Sequence, residues 1–179
     1  PDAQVLANKT ILVTGAGDGI GKEAALTYAR FGASIILLGK TVSKLTAVYD
    51  EIVASGGKEP AIVPLDLKGA TAKHYRDMAA TITAEFGKLD GVLHNAGILG
   101  VLSPFEHIDL PTWQDIMQVN VTAPMLMPSI LAAFFLSVTF SWDEFIIAFL
   151  LSRFDVTLPV EIWSMLRSGL NPKTNAIGS

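Results

Sequence analysis

The feature that most constrains this chain is a glycine-rich stretch at residues 14–21, with the sequence TGAGDGIG. It follows a short apolar run at residues 11–13 and opens a helical pattern that extends to residue 31. Gly15 permits a sharp turn, Gly19 lets phosphates approach the backbone closely, and Gly21 lets the helix pack against its strand. Backbone N–H groups and the positive end of the helix dipole then meet at a site for a pyrophosphate. The alternative is a tight strand-to-helix turn that binds nothing.

The first 120 residues repeat this alternation of strand and helix. Apolar runs bounded by turn residues predict further strands, and segments with helical spacing that end at glycine predict further helices. The predicted strands are residues 11–13, 34–38, 61–65 and 91–93, and the predicted helices are residues 22–31, 41–55 and 71–86. Four βα units with short connections predict an α/β fold with a parallel, doubly wound sheet and right-handed crossovers.

Such a sheet binds ligands at the carboxyl ends of its strands, where several polar residues lie. Lys40 follows the second strand, where a cation favours a ribose 2′-phosphate, and Gly39 leaves no carboxylate for a 2′-hydroxyl. The alternative for Lys40 is a solvated loop lysine. Asp66 could serve only as a cap, and Asn95 could serve only to satisfy backbone groups. His94 is expected to be packed and hydrogen bonded rather than to act as a ligand or base.

Composition excludes several classes of function. The net charge of −4 and the isoelectric point near 5.3 argue against a nucleic-acid-binding surface. The chain has no cysteine, so disulfides, thiolate metal sites and cysteine nucleophiles are excluded. No pair of histidine and carboxylate has metal-ligand spacing, so no metal is predicted. The polar residues 1–10 do not resemble a secretory signal, and we expect the N-terminal domain to be cytoplasmic.

Three motifs resemble those of the short-chain dehydrogenase/reductase family over residues 9–123. The stretch TGAGDGIG is similar to the family's TGxxxGIG, and HNAG at residues 94–97 is similar to its NNAG with the first Asn replaced. Val119-Asn120 resembles the family's helix that carries an active-site Asn. The resemblance implies a Rossmann fold that binds NADP(H), with NAD(H) as the alternative. Gly39-Lys40 resembles the members that prefer NADP.

The resemblance also implies roles for particular residues. It places the adenine near Asp66 and Leu67, and it gives Asn120 a structural or proton-relay role in catalysis. The residues that it implies for the rest of the dinucleotide follow the first and fourth strands: Gly15, Asp18, Gly19, Ile20 and Gly21 for the phosphates, and Asn95, Ala96 and Gly97 for the adenosine ribose.

The chain departs from the family where the family's chemistry resides. The family uses a Ser on the fifth strand and a Tyr-x-x-x-Lys on the following helix, with the Tyr as general acid or base. Tyr28, Tyr49 and Tyr75 all precede Asn120, and no Gly/Val-rich fifth strand follows that residue. The sequence therefore predicts an incomplete Rossmann-type half that binds a dinucleotide and does not transfer hydride at a rate typical of the family.

The sequence changes character after Asn120. Residues 121–142 are 22 uncharged and mostly apolar residues, enough as a helix to span a bilayer about 30 Å thick. The alternative is a buried helix of a globular core. Pro124 and Pro128 are expected to interrupt the helix, because each removes a backbone donor. Residues 121–151 are expected either to contact a membrane or to cover the sheet.

The tail has a resemblance of its own. Residues 129–179 are similar to the C-terminal part of a polyamine-type ABC transporter permease, through FSWDEF at 140–145 and LPVEIWSM at 158–165. The sequence thus predicts a chimera of two unrelated pieces joined between about residues 121 and 129. They are a Rossmann domain at residues 1–123 and a hydrophobic helical segment at residues 124–179, with membrane transport as the alternative function. Because no fifth strand follows, the fourth is expected to be a sheet edge and the chain to self-associate.

Overall fold

The computed structural model describes residues 4–135. The predictions for the remainder of the tail, including the permease-like motifs and the helix beyond residue 135, lie outside the described residues. Within the described part, strands and helices alternate in the predicted order. The strands are β1 (Thr10–Thr14), β2 (Ser34–Gly39), β3 (Ala61–Pro64) and β4 (Gly91–Leu93). The predicted α/β class is confirmed.

The four strands form one parallel sheet in the order β3-β2-β1-β4. In β1, Leu12 pairs with Ile36 of β2 on one side and with Val92 of β4 on the other. β1 and β2 are therefore the inner strands. Among residues 4–135, β4 has only β1 as a neighbour, so the prediction that it is an edge holds for the described part.

Three helices connect the strands: α1 (Gly19–Arg30), α2 (Val42–Ala54) and α3 (Ala72–Phe86). Asp18 caps α1 by accepting a hydrogen bond of 2.8 Å from the backbone N–H of Gly19. Gly87 ends α3 with φ of 71°, the left-handed conformation that favours glycine at this position. α1 thus begins directly after its Asp18 cap, three residues before the predicted start at residue 22, whereas α3 ends at the predicted glycine.

The core lies on both sides of β2, whose residues 35–38 are fully buried. One face of the sheet contributes Ile35 and Leu37, which pack with buried side chains of α1 and α2: Ala25, Ala29, Leu45, Val48 and Ile52. Successive strand residues point to opposite faces, so Ile36 and Leu38 face the other side. A strand that is buried on both faces reads as a continuous apolar run, which is why β2 was evident in the sequence.

The helix that follows β4 continues past Pro124 and Pro128, the two prolines that were expected to interrupt it. It begins as α4 (Leu110–Met117), passes through one π-helical turn (Gln118–Thr122) and continues, so that the whole helix spans Leu110–Phe135. The backbone N–H of Ala123 donates to the carbonyl of Gln118, five residues earlier. Pro124 has no N–H and would crowd the carbonyl four residues before it, and the wider turn directly ahead of it relieves this conflict.

The prediction that Pro124 and Pro128 interrupt the helix is therefore wrong for the described residues. The helix Leu110–Phe135 has 26 residues, and an 18-residue window within it has a mean hydropathy of 1.4, which makes it long and apolar enough to cross a membrane. The buried core helix of a soluble protein can meet the same criterion, and 22% of this apolar window is buried.

Candidate nucleotide-binding site

A cleft of about 250 Å³ opens at the carboxyl ends of the strands. It lies where the chain order reverses: β2 and β3 follow on one side of β1, and β4 lies on the other. Open parallel sheets bind ligands at this position. The cleft brings together seven of the predicted binding residues, namely Gly15, Lys40, Asp66, Leu67, Asn95, Ala96 and Gly97. The other predicted residues, Asp18, Gly19, Ile20, Gly21 and Asn120, are not part of its lining.

The first and last glycines of the glycine-rich stretch, Gly15 and Gly21, are packed too tightly for a side chain. A Cβ on Gly21 would lie 2.3 Å from the carbonyl oxygen of Gly15 and 2.5 Å from Nδ2 of Asn95. Gly15 has φ of 67°, and a Cβ there would lie 3.0 Å from the Cα of Ala96. Turning at Gly15 and close packing at Gly21 both agree with the sequence prediction. They bring the start of α1 against the segment that follows β4.

The tip of the stretch, by contrast, is open. Gly19 has φ of 51°, and a Cβ on it would have no atom within 4 Å among the described residues. Ile20 is 80% exposed. The first residues of α1 therefore border open space, and a helix of twelve residues directs its positive dipole end there. This open backbone cradle fits the phosphates of a dinucleotide.

Asp18 and Lys44 form an ion pair beside this cradle. Nζ of Lys44, on the first turn of α2, lies 2.5 Å from Oδ2 of Asp18, while Oδ1 accepts from the N–H of Gly19. The hydrogen bond from Lys44 and the one from Gly19 hold the pKa of Asp18 below its ordinary value. Sequence reasoning missed Lys44, because the two residues are 26 apart and no local spacing connects them.

Thr14 and Asn95 tie the glycine-rich stretch to the segment after β4. The hydroxyl of Thr14 accepts hydrogen bonds of 3.0 Å from the backbone N–H groups of both Asn95 and Ala96, and it donates to the carbonyl of Leu93. Nδ2 of Asn95 donates to the carbonyls of Thr14 and Gly15. Asn95 thus satisfies backbone groups, which was one of the two alternatives for this residue, and it also lines the cleft. Thr14 was overlooked as a site residue although it opens the motif.

Lys40 and Asp66 stand on the far side of the cleft, after β2 and β3. Lys40 is exposed, and no carboxylate among residues 4–135 forms an ion pair with it. Asp66 accepts from the backbone N–H of Lys68 at 3.0 Å and so caps the short 3-10 helix Leu67–Gly69. Asp66 therefore does cap the segment that follows it, and it also lines the cleft. A free cation next to a cleft is a suitable partner for an anionic group of a ligand.

Two contacts connect the segment after β3 with α4. Nζ of Lys68 lies 2.7 Å from Oδ2 of Asp115, and this hydrogen bond raises the pKa of Lys68 above its ordinary value. Nε2 of Gln118 donates to the carbonyl of Ala70 at 3.2 Å. Val119, the next residue, lines the cleft and is buried. Residues of α4 and of the π-helical turn after it therefore support one wall of the cleft, which sequence reasoning did not foresee.

Asn120 acts on the backbone of the loop after β4. Its Oδ1 accepts from the N–H of Ile98 at 2.9 Å, and its Nδ2 donates to the carbonyl of Ile98 at 2.8 Å. The paired bonds fix the chain directly after Gly97, whose absent Cβ would lie 3.5 Å from Oδ1. Of the two roles implied for Asn120, the structural one has this direct geometric basis.

His94 was expected to be packed. It is instead exposed among the described residues, at the end of β4. Partial burial of the ring still lowers the pKa of His94 below its ordinary value, because burial disfavours the charged imidazolium. His94 does not line the cleft.

A parallel sheet of order β3-β2-β1-β4 with a glycine-rich turn at its switch point defines a Rossmann-type nucleotide-binding fold. Residues 9–138 match the family of short chain dehydrogenases. The chain belongs to the short-chain dehydrogenase/reductase family. It is 46% identical over 127 residues to the oxidoreductase YciK of Escherichia coli K12, and this alignment covers 71% of the chain and 50% of YciK. It is 37% identical over 134 residues to the cyclohexanol dehydrogenase of Acinetobacter sp. SE19, across 70% of this chain and 51% of that enzyme.

Solved structures give the same result. A short chain dehydrogenase of Pseudomonas syringae superposes with a TM-score of 0.72 at 43% identity, over 74% of this chain and 55% of that one. A short chain dehydrogenase of Escherichia coli CFT073, complexed with NADPH, superposes with a TM-score of 0.71 at 45% identity, over 75% and 56%. The Rossmann-type fold that the sequence predicts is therefore confirmed.

The chain spans about half the length of these relatives. The family match extends to residue 138, so the join predicted between residues 121 and 129 lies inside the matched range. These similarities support the dehydrogenase part of the sequence prediction and lend no support to a transporter fragment.

Proposed function

We propose that this chain binds NADP(H) through the cleft at the carboxyl ends of its strands. The observation that carries the proposal is the pairing of an open glycine cradle at Gly19 with a free cation, Lys40, across the same edge of the sheet. A relative of known structure is complexed with NADPH and another with NADP, which supports the same ligand here. NAD(H) is the alternative, and it would bind more weakly because it lacks the 2′-phosphate.

Each part of the dinucleotide has a set of residues suited to it. The start of α1, from Gly15 to Gly21, offers backbone N–H groups to the pyrophosphate. Asp66 and Leu67 form the wall against which the adenine would lie, and residues 95–97 adjoin the adenosine ribose. Lys40 would bind the 2′-phosphate as a point charge. The bound cofactor would supply hydride chemistry, while these residues bind and orient it.

Calorimetric titration with NADPH and NADH tests this assignment. The parent protein is expected to bind NADPH more tightly than NADH, and Lys40→Asp is expected to reverse the preference because a carboxylate repels the 2′-phosphate and accepts from a 2′-hydroxyl. Lys58→Asp is the matched control, since Lys58 is exposed and outside the cleft. Equal affinity of the parent for both cofactors would contradict the role of Lys40.

We further propose that this chain does not catalyse hydride transfer at the rate of its relatives. No tyrosine follows Tyr75 in its sequence, so the chain's own residues do not supply the family's Tyr-x-x-x-Lys pair. Losing a positioned general acid costs roughly 10²–10⁴-fold in rate. The check is NADPH oxidation by the purified chain with a panel of aldehydes and ketones. Robust turnover would overturn the proposal, and loss of that turnover in His94→Gln would identify His94 as the proton donor.

A second proposal concerns the tail and its boundary, which we place between residues 123 and 124. The observation behind a membrane contact is the length and apolar composition of the helix Leu110–Phe135. Met125 and Leu126 are also exposed on this helix, outside the buried stripe formed by Ala123, Met127 and Leu131. In this proposal the dinucleotide-binding domain is cytoplasmic, and residues 121–151 reach a bilayer or mediate self-association. Flotation of the full chain with neutral liposomes tests it. If the chain stays at the bottom of the gradient as a monodisperse monomer without detergent, the helix belongs to a soluble core, and both the membrane and the permease interpretations fail.

A further inference from the structure

The end of the site that is proposed to bind the phosphates already carries the negative charge of the Asp18 carboxylate. The phosphates of a cofactor would bring further negative charge to the same place. Asp18 occupies the N-cap of α1, and its carboxylate takes the first N–H of that helix, from Gly19, at 2.8 Å. If NADP(H) binds as proposed above, its pyrophosphate approaches the same helix end. A carboxylate and a pyrophosphate at one helix end repel each other. Something must offset this repulsion for the site to bind tightly.

Lys44 is placed to offset it. Its Nζ lies 2.5 Å from the second carboxylate oxygen of Asp18, and its stem lies under the loop, because a Cβ on Gly17 would be 2.9 Å from the Cβ of Lys44. The neighbouring lysine, Lys22, is already paired with Glu51 at 2.5 Å. Among the described ion pairs, Lys44 is thus the cation that balances the charge of Asp18.

We propose that Lys44 is a charge-compensating residue for dinucleotide binding, which acts through Asp18 rather than by contact with the cofactor. Asp18 caps the helix and Lys44 cancels its charge, so the glycine cradle presents N–H groups and a dipole to the phosphates without a net negative neighbour. The proposal rests on the proposed function. It makes Lys44 a positioning and electrostatic residue for the pyrophosphate, distinct from Lys40, which faces the 2′-phosphate.

Charge compensation predicts a specific pattern in a double-mutant cycle. Lys44→Met leaves Asp18 uncompensated and should weaken binding about three- to tenfold, the size expected for one unit charge several ångströms from phosphates in a largely aqueous setting. Asp18→Asn keeps a side-chain oxygen for the cap and removes the charge, so it should leave the affinity unchanged or raise it. The double variant should bind about as tightly as the parent.

The pattern also differs from that of Lys40 across cofactors. The pyrophosphate is common to NADPH and NADH, so Lys44→Met should weaken both by a similar factor, whereas Lys40→Asp should weaken NADPH alone. Because Asp18 is exposed, raising the salt concentration from about 0.02 M to about 0.5 M should narrow the gap between Lys44→Met and the parent. Lys73→Met is the matched control, since Lys73 forms a similar exposed pair with Asp77 on α3.

The experiment is titration of NADPH and NADH into the full chain and these variants, with thermal unfolding of each free variant to check the fold. Recovery of affinity in the double variant, for both cofactors, supports the proposal. If Asp18→Asn weakens binding as much as Lys44→Met does, the pair is only a structural clamp and the proposal is wrong. If the double variant stays as weak as Lys44→Met, or NADPH alone is affected, Lys44 contacts the cofactor directly and the proposal is also wrong. A parent protein that binds neither cofactor would instead overturn the proposed function, and this inference with it.

Discussion

Different interactions join β1 and β4 at the two ends of this strand pair. At the amino end, Asp90 accepts from the backbone N–H of Thr10 at 2.9 Å and lies within 3.2 Å of both Lys9 and Lys88. At the carboxyl end, the fastening is neutral and consists of the Thr14 hydroxyl and the Asn95 amide. The first is an ionic cluster and the second is a hydrogen-bond network without charge.

Exposure explains why each end uses the chemistry it does. Thr14 is 1% exposed, and an ionised group at such a position would lose its hydration without a matching partner. The side chain of Asp90 is 18% exposed, with lysines that are about half exposed around it, so its charge stays hydrated and paired. The consequence is functional. The hydrogen bonds that join β1 and β4 beside the cleft involve no charged group. The pH-sensitive ion pairs of Asp90 lie at the opposite end of the two strands.

The largest effect is expected from breaking the neutral network. Thr14→Val keeps the shape of the side chain but leaves the N–H of Ala96 without its acceptor and removes the hydroxyl's own hydrogen bond to the carbonyl of Leu93, whereas the N–H of Asn95 still donates to that carbonyl. An unsatisfied buried donor costs about 1–3 kcal/mol and a lost hydrogen bond about 0.5–1.5 kcal/mol, so we expect the free energy of unfolding to fall by about 2–4 kcal/mol, with loss of NADPH binding. Urea unfolding and calorimetry measure the two effects. Thr14→Ser keeps the hydroxyl and should retain most of both, and equal damage by Ser and Val would show that the methyl group matters instead.

A smaller effect is expected from disturbing the packing beside that network. Gly21→Ala places a Cβ 2.3 Å from the carbonyl oxygen of Gly15, so the glycine-rich stretch must shift. Overpacking of this kind costs about 1–3 kcal/mol in unfolding free energy. The affinity for NADPH should fall as well, because the phosphate cradle moves with the loop. Gly69→Ala is the control, since a Cβ there meets nothing within 4 Å among the described residues. Unchanged stability and affinity in Gly21→Ala would contradict the tight packing.

The smallest effect is expected at the ionic end, and it depends on pH. The N–H of Thr10, followed by the two lysines, lowers the pKa of Asp90 from 3.8 to about 2. A depressed carboxyl pKa stabilises the folded state above the unfolded pKa, and this contribution is lost as the pH falls from about 4 to about 2. Asp90→Asn should therefore lower the urea midpoint near pH 6 and lose less of it on acidification than the parent does.

The control for this pH effect is Asp77→Asn, which removes one partner of an exposed pair on α3. Its urea midpoint should change less than that of Asp90→Asn near pH 6, because Asp77 has a single lysine and no strand N–H. If parent and Asp90→Asn lose stability equally on acidification, the ionic fastening does not contribute and the contrast between the two ends fails.

Much of this fold was readable because its signals are local. The buried run in β2 and the glycines that end helices identify elements from adjacent residues. Lys40, Asp66 and Asn95 in the cleft follow from the same logic, since each lies within two residues of a strand end and parallel strands end at one edge of the sheet. Leu67, Ala96 and Gly97 were implied by the family resemblance instead.

The parts that sequence reasoning missed join distant residues. Lys68 and Asp115 are 47 positions apart, and Thr14 reaches residues about 80 positions away, so no spacing rule connects them. The π-helical turn at Gln118–Thr122 was missed for a different reason. A proline inside a helical pattern predicts an interruption, whereas one widened turn lets the helix continue past Pro124.

The position of β4 has a consequence for how this domain folds. Thr10 pairs with Ser34, 24 residues away, whereas the hydrogen bond from Thr14 to Leu93 closes a loop of 79 residues. Closing the longer loop costs more chain entropy, and non-local pairing is slower. We expect β4 to dock after β1, β2 and β3 have assembled, so the cleft wall that follows it is completed last. A dinucleotide that contacts both walls of the cleft would then bind only after β4 has docked. Slower hydrogen exchange of the β4 amides would report that this strand has docked.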